Sequence, residues 1–311
     1  MKPKIYIDGK DGTAGLQIYD RLAARSDIDL LLIDEAKRKD NAERAKLMNA
    51  ADIVFLCLPD AAAIEAVTLV TNPGTRIIDA STAHRTAEGW TYGYPELSKA
   101  QREAIRTAKR VANPGCHATG FISTVAPMVR MGIIPAEMPL CAYSLTGYSG
   151  GGKKLIAEYE DEARDPRHDS HRIYGTNLQH KHLPEMIKVC GLTHAPVFSP
   201  ILGDFYNGMA TTVMLHRASL PGAPSGEEIR DRLAEYYAGG HFVTVAPFGG
   251  DEPVIYADTL ANTNRLRITV CASEEHVTVT SLFDNLGKGA SGAAVQNMNI
   301  MLGLDETIGL E

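Results

Sequence analysis

Residues Val111 to Gly120 read V-A-N-P-G-C-H-A-T-G, and the side chain there that could do chemistry is Cys116. An apolar run ends at Ala112, Asn113-Pro114-Gly115 is a turn signal, and a helical pattern resumes from Ala118. Cys116 therefore falls between a strand and a helix. Unpaired backbone N–H groups and the positive end of a helix dipole favour the thiolate there, and the thiolate is the nucleophile. A cysteine so placed also packs as a small apolar residue, so the turn alone leaves both readings open.

The second reactive group is His180-Lys181-His182-Leu183-Pro184-Glu185. Two histidines two positions apart, with no matching third and fourth ligand, make a poor metal site, and none is expected. An acid–base histidine serving a thiolate is the better reading, because imidazole titrates near neutral pH. We expect His180 to move the proton and His182, with Glu185, to hold substrate. Pro184 disfavours helix at Leu183, so the segment is expected to be extended with both rings on one face.

These groups need elements to position them. Lys4 to Asp8 reads as a strand, Gly9-Lys-Asp-Gly12-Thr13-Ala-Gly15 as a glycine turn, and Leu16 to Ala23 as a helix. That order brings N–H groups and a helix N-terminus against a phosphate, with Gly9, Gly12, Thr13 and Gly15 as the contacts. The spacing is G-x-x-G-x-x-G, which a tight connection would also show. A second strand, Leu30 to Ile33, ends in Asp34, an acid suited to the ribose 2′-OH of NAD. Lys37-Arg38-Lys39 follows and suits the 2′-phosphate of NADP; we favour NADP, with Lys37 and Arg38 as contacts. Buried strands are expected over Asp52–Leu58 and Thr75–Ala80, and a helix capped by Ser98 runs to Ala108.

Thr146 to Lys154 packs four glycines and two lysines together and reads as a mobile loop near a phosphate or carboxylate. Glu158 to Arg172 is highly charged and reads as an exposed, irregular excursion. Strand patterns then dominate, ending in a hairpin of Arg265–Ala272 and His276–Phe283. Asp284 to Gly292 reads as a second glycine turn, similar to the opening one, before a last helix that returns to the first domain.

The 311 residues suffice for two domains. We expect an α/β chain: a Rossmann-type dinucleotide-binding domain over 1–116 and 286–311, and an α+β domain with a mostly antiparallel sheet over 117–285. One face of that sheet is expected to meet a second copy, making a homo-oligomer, dimer or tetramer. A net charge of −7 argues against a nucleic-acid partner. No stretch has the apolar length of a membrane helix or the form of a signal peptide, and five scattered cysteines lack C-x-x-C spacing. A cytoplasmic, reduced protein acting on a small molecule is expected.

Taken together, the motifs resemble the N-acetyl-γ-glutamyl-phosphate reductases of arginine biosynthesis in their shorter form. The resemblance spans nearly the whole chain: I-D-G-x-x-G-T-A-G-L at 7–16, L-P-D at 58–60, D-A-S-T-A-H-R at 79–85 and Y-G-Y-P-E-L at 92–97. It continues with N-P-G-C at 113–116, T-G-Y-S-G-G-G-K-K at 146–154, H-K-H-L-P-E at 180–185 and D-N-L-G-K-G-A-S-G-A-A-V-Q-N-M-N at 284–299. It implies the two-domain fold of the semialdehyde and glyceraldehyde-phosphate dehydrogenases and NADPH-dependent reduction of an acyl phosphate. It makes Cys116 the nucleophile, one histidine of H-K-H the acid–base and Arg85 the holder of the substrate phosphate. It sets Ser81, Ser149, Gly150, Gly151 and Asn285 along NADP. Asp34 departs from it, since an acid there disfavours a 2′-phosphate and leaves NAD open. The alternatives are aspartate-semialdehyde dehydrogenase or another acyl-phosphate reductase, including one with a carrier-linked substrate. From other classes come an inactive dinucleotide-binding sensor and a cysteine hydrolase.

Overall fold

A computed structural model describes residues 2–251 and 253–311. The chain forms two compact units, Met1–Pro114 with Ala290–Glu311, and Gly115–Gly289. Cys116, expected as the last residue of the first domain, is instead the first helical residue of the second unit. The expected return at 286 comes later, after Gly289.

In the first unit, β1 (Lys4–Asp8), α1 (Thr13–Ala23), β2 (Asp29–Leu31), α2 (Asn41–Ala50), β3 (Ile53–Leu56), α3 (Asp60–Leu69) and β4 (Arg76–Asp79) alternate strand and helix. Then follow β5 (Thr91–Tyr92), α4 (Lys99–Thr107) and β6 (Arg110–Ala112). The strands form one parallel sheet in the order β2-β1-β3-β4-β6-β5. Because β1, β3 and β4 lie inside that sheet, both of their faces are covered, and their middles are apolar: Ile5–Ile7, Ile53–Leu56 and Ile77–Ile78. Tyr6, Val54, Leu56 and Ile77 pack with Met48 of α2 and Ala66 of α3. From β1 the chain crosses to β2 on one side and then to β3 on the other. The switch point therefore sits at the carboxyl ends of β1 and β3, where open α/β sheets bind ligands.

In the second unit, α5 (Cys116–Arg130) is buried from His117 through Met128, so its sequence is apolar or small all round. It packs on a seven-stranded sheet in the order β11-β12-β13-β10-β7-β9-β8. The ranges are β7 (Cys141–Thr146), β8 (Arg172–Ile173), β9 (Val197–Leu202), β10 (Met209–His216), β11 (Val243–Val245), β12 (Leu266–Ala272) and β13 (His276–Phe283). Four of the six pairings are antiparallel, and β7–β9 and β11–β12 are parallel. Helices α6 (Gly152–Glu160), α7 (Leu183–Cys190) and α8 (Gly226–Tyr236) complete the unit. On the other sheet face, Tyr143, Val197 and Met214 are exposed.

Three stretches differ from expectation. Thr146–Lys154 is not a mobile loop: a 3-10 turn at Tyr148–Gly151 runs into α6, and Gly152 takes a φ of +80° at the junction. Glu158–Arg172 is largely exposed, as expected, but only partly irregular. Helix α6 continues to Glu160, Arg164 pairs with Asp204 and Asp169, and Tyr159 stacks between Tyr148 and His168. Finally, Gly287–Ser291 is a π-helical turn continuous with the closing helix Gly292–Leu302, not an open glycine turn. Its residues are mostly buried, so it presents no row of outward N–H groups.

Candidate active site

The turn before Cys116 is held from several directions. Within the first unit, Asn113 donates its N–H to the Asp79 carbonyl (2.7 Å) and its side-chain amide to the Ala290 carbonyl (2.9 Å). Gly115 is the extended cap residue of α5, and its N–H reaches Glu185 Oε2 at 3.2 Å. Cys116 is half-buried at the first helical position, as the strand–turn–helix pattern requires. Two other cysteines are made inert by burial, which pushes the Cys57 thiol up to about 12 and raises that of Cys190.

His180 and His182 are brought together in the second unit, but not by an extended segment. Leu183 N–H closes a turn on the His180 carbonyl (3.0 Å), and α7 starts at Leu183 with Pro184 in its first turn. Proline is tolerated there because that N–H has no intrahelical partner. The two rings meet edge to face at 4.7 Å. His180 Nδ1 accepts the backbone N–H of His182 (3.2 Å), so the proton of the neutral His180 ring belongs on Nε2. His180 is half-buried, whereas His182 and Glu185 are buried.

A third histidine went unrecognised in the sequence. His117 packs edge to face on His180 at 5.1 Å and lies 5.7 Å from His182. Its Nδ1 meets Ser144 Oγ (2.8 Å) and its Nε2 meets the Tyr174 hydroxyl (2.6 Å). Burial, then the neighbouring His180 and Lys181 charges, lower its pKa to about 3. The signal available was a titratable residue in an otherwise apolar or small helix. Tyr174 and Ser144 carried none.

In the first unit, the turn after β1 fits a dinucleotide phosphate. A Cβ at Gly9 would stand 2.4 Å from the Cys57 carbonyl oxygen, and one at Gly15 would stand 2.3 Å from the Gly9 carbonyl oxygen. Gly12 caps α1 in extended conformation, and the buried Thr13 hydroxyl has no protein partner. Beside this turn is a cavity of about 500 Å³ lined by Gly9, Lys10, Asp11, Arg38, Lys39 and Arg44. Lys37 does not line it and turns to Glu43 (3.7 Å). Asp34 does not line it either: its carboxylate accepts Ala36 N–H and caps a short 3-10 turn. Glu35 does line the cavity, as do Asp8, Asp11 and Glu65, and it pairs with Arg38, which also pairs with Asp11.

Ser81 is buried, with its hydroxyl on Asp79 (2.7 Å), a carboxylate that also binds His84 Nδ1 (2.6 Å). Arg85 reaches the carbonyls of Asn113 (3.0 Å) and Ala80 (3.1 Å), which brings its guanidinium to the turn that leads into Cys116. In the second unit, Asn285 donates to Ser149 Oγ (2.9 Å), Ser149 donates to Asn207 Oδ1 (2.7 Å), and Gly208 N–H reaches Asn285 Oδ1 (2.8 Å). Gly150 adjoins the Asn285 amide, and Gly151 is exposed. Among the described residues, no group of three or more His, Cys, Asp or Glu side chains is placed to hold a metal ion.

Residues 8–108 match the semialdehyde dehydrogenase NAD binding domain, and residues 116–285 match the semialdehyde dehydrogenase dimerisation domain. An N-acetyl-γ-glutamyl-phosphate reductase of Nostoc sp. is 48% identical over 99% of this chain and 99% of its own. The chain belongs to the N-acetyl-γ-glutamyl-phosphate reductase family. Another such reductase, from Mesorhizobium japonicum, is 47% identical over 98% of this chain and all (100%) of its own. The fold extends beyond the reductases. Aspartate semialdehyde dehydrogenase II of Vibrio cholerae superposes with a TM-score of 0.73 over 97% of this chain and 99% of its own, at 13% identity.

Proposed function

We propose that this reductase converts N-acetyl-γ-glutamyl phosphate and NADPH to the semialdehyde, NADP and phosphate through a thioester on Cys116. The observation that carries the reading is Cys116 at the first residue of α5, in the same unit as the His117–His180–His182 cluster. Cys116 Sγ attacks the acyl carbon, and the carbon–oxygen bond to phosphate breaks. Phosphate leaves with that electron pair and takes a proton from water. Arg85 is assigned to the phosphate, with its guanidinium held by the Asn113 and Ala80 carbonyls. A bound NADPH supplies hydride to the thioester carbon. His180 in its imidazolium form gives its Nε2 proton to the carbonyl oxygen as it gains charge, and is left as the neutral ring. His180 takes the proton back as the thiohemiacetal collapses to aldehyde and Cys116 thiolate. Covalent catalysis thus splits one hard reduction into two easier steps.

NADPH is preferred over NADH on the strength of Arg38 and Lys39 at the cavity, with Asp34 withdrawn into its cap. The protein works as a cytoplasmic homo-oligomer, and the exposed Tyr143, Val197 and Met214 face offers apolar surface for a second copy. The test is nicotinamide absorbance with a panel of semialdehydes, run with phosphate and NADP in the oxidative direction. N-acetylglutamate semialdehyde should be the best substrate, and Cys116→Ser should abolish turnover while still binding NADPH. Preference for aspartate semialdehyde would move the assignment to the sister activity. Turnover by Cys116→Ser would overturn the mechanism.

A further inference from the structure

The steps above give His117 no role, yet both of its ring nitrogens are engaged. It directly follows the nucleophile and is 3% exposed. Ser144 and Tyr174 hold the two nitrogens at 2.8 and 2.6 Å, and Ser144 is backed by Thr211 Oγ1 at 2.7 Å. Hydroxyls donate or accept, so this setting satisfies either tautomer of an uncharged ring. Tyr174 stands just after β8, so its hydroxyl reaches His117 from a different element than Ser144 on β7. The ring cannot turn without breaking a hydrogen bond. Against it lie His180 (5.1 Å, 87°) and Phe198 (5.3 Å, 70°).

An acid–base role for His117 itself conflicts with this setting. A general acid must present a nitrogen to substrate and titrate near working pH. Both His117 nitrogens are taken, and burial holds the ring uncharged down to about pH 3. The titratable groups around it are Cys116 on its own helix, His180, Lys181 and His182 on the turn before α7, Glu185 on α7, and Tyr174 after β8. A second imidazolium beside His180 would oppose the first by like-charge repulsion.

We propose that His117 is a positioning residue of the reaction: an imidazole, clamped between Ser144 and Tyr174, that sets the orientation of His180. The proposal rests on the reading of Cys116 as nucleophile and His180 as acid–base. It explains why a polar network is buried next to the catalytic turn, where an apolar side chain would pack at no polar cost.

The test uses the full-length enzyme with three substitutions, each first shown to bind NADPH by fluorescence. His117→Phe keeps the ring and removes both hydrogen bonds. His117→Gln retains an amide for the Tyr174 hydroxyl, and Tyr174→Phe removes that hydroxyl. Misplacing an acid–base group costs about ten- to a hundredfold in turnover. That fall in kcat, with KM for semialdehyde near its original value, is expected for His117→Phe. A smaller fall of the same kind is expected for Tyr174→Phe, and His117→Gln should recover part of the loss. The kcat limb assigned to His180 should move in His117→Phe and Tyr174→Phe, which a mere loss of folded enzyme would not do. A His117→Phe enzyme that loses the limb altogether, as His180→Asn should, would make His117 the acid–base and overturn the proposal. An unmoved limb in Tyr174→Phe would overturn it as well, and that variant decides alone if the His117 variants fail to fold. If the Cys116→Ser or His180→Asn enzyme turns over normally, it is the underlying reading that fails.

Discussion

The Glu185 carboxylate accepts the backbone N–H of Gly115, the cap residue of α5, so the first turn of α7 is tied to the residue that precedes Cys116. A buried N–H left without its acceptor costs about 1–3 kcal/mol. Glu185→Ala should therefore lower the unfolding free energy of the enzyme, read from its urea transition, by that order and reduce kcat. Glu185→Gln, which still offers a carbonyl oxygen, should keep most of the stability. If Glu185 instead holds substrate, Glu185→Gln will raise KM while both variants unfold at the wild-type midpoint.

Burial of His117 makes a statement about pH. Its folded pKa, lowered from 6.5 to about 3, is the smaller of the two, so the unfolded chain binds the extra proton between those values. The contribution to stability is complete above pH 6.5 and is lost as pH falls towards 3. At pH 5 the loss from this one group is about 2 kcal/mol. Unfolding free energies from urea titrations at pH 7 and pH 5 should differ more for the wild type than for His117→Gln, by that order. Equal differences would mean that His117 is protonated in the folded enzyme.

Glycine at position 120 is required by packing. A Cβ there would stand 2.3 Å from Thr211 Oγ1 and 2.9 Å from a ring carbon of Phe283, both on the strands beneath α5. Alanine in a helix interior gains about 1 kcal/mol over glycine by propensity. Overpacking a well-filled core typically costs about 1–3 kcal/mol. The closeness of the clash decides the sign, and Gly120→Ala should unfold at lower urea than the wild type. A higher midpoint would show that β10 can shift to make room.

Much of this was legible because burial on both sides leaves a plain record. The strands β1, β3 and β4 have apolar middles, and a turn signal before a helical pattern located Cys116 at a helix start. Thr146–Lys154 misled because glycine serves both flexibility and left-handed backbone. Here Gly152 turns at φ +80° from a 3-10 turn into α6. The Pro184 argument failed because the restriction on the preceding residue is weaker than the tolerance of a helix's first turn. His117 stayed hidden because a histidine in an apolar run looks like core until its partners, Ser144 and Tyr174, arrive from other elements.

Which basic residues face the cavity follows side-chain direction, which the run of three basic residues could not give. Arg38 and Lys39 line the cavity, whereas Lys37 pairs with Glu43. Replacing Arg38 and Lys39 together with alanine should raise KM for NADPH at least tenfold, about 1.4 kcal/mol, and leave NADH nearly unchanged. Lys37→Ala should do little to either. Because Glu35 pairs with Arg38, Glu35→Gln should release the guanidinium and raise the NADPH-over-NADH ratio of kcat/KM. A ratio unmoved by the double substitution would exclude the 2′-phosphate from this cavity.

The two histidines of the H-K-H turn differ in burial and hydrogen bonding, and that difference assigns them different work. His180 is half-buried, and its Nδ1 is occupied by the His182 N–H, which leaves the mobile proton on Nε2. His182 is buried at the start of α7, which suits it to packing and binding under the proposed mechanism. Removing a general acid–base group costs about 10²–10⁴-fold in rate. His180→Asn should lose kcat in that range with little change in KM, and should lose the near-neutral limb of the pH profile. His182→Asn should act mainly on KM, as the loss of a contact equal in ground and transition states does. Single-turnover kinetics with NADPH separates the two, since only the first should slow aldehyde formation from preformed thioester. Should His182→Asn carry the kcat effect and the pH limb, the two roles are reversed, and the His180 Nδ1 contact serves to orient His182.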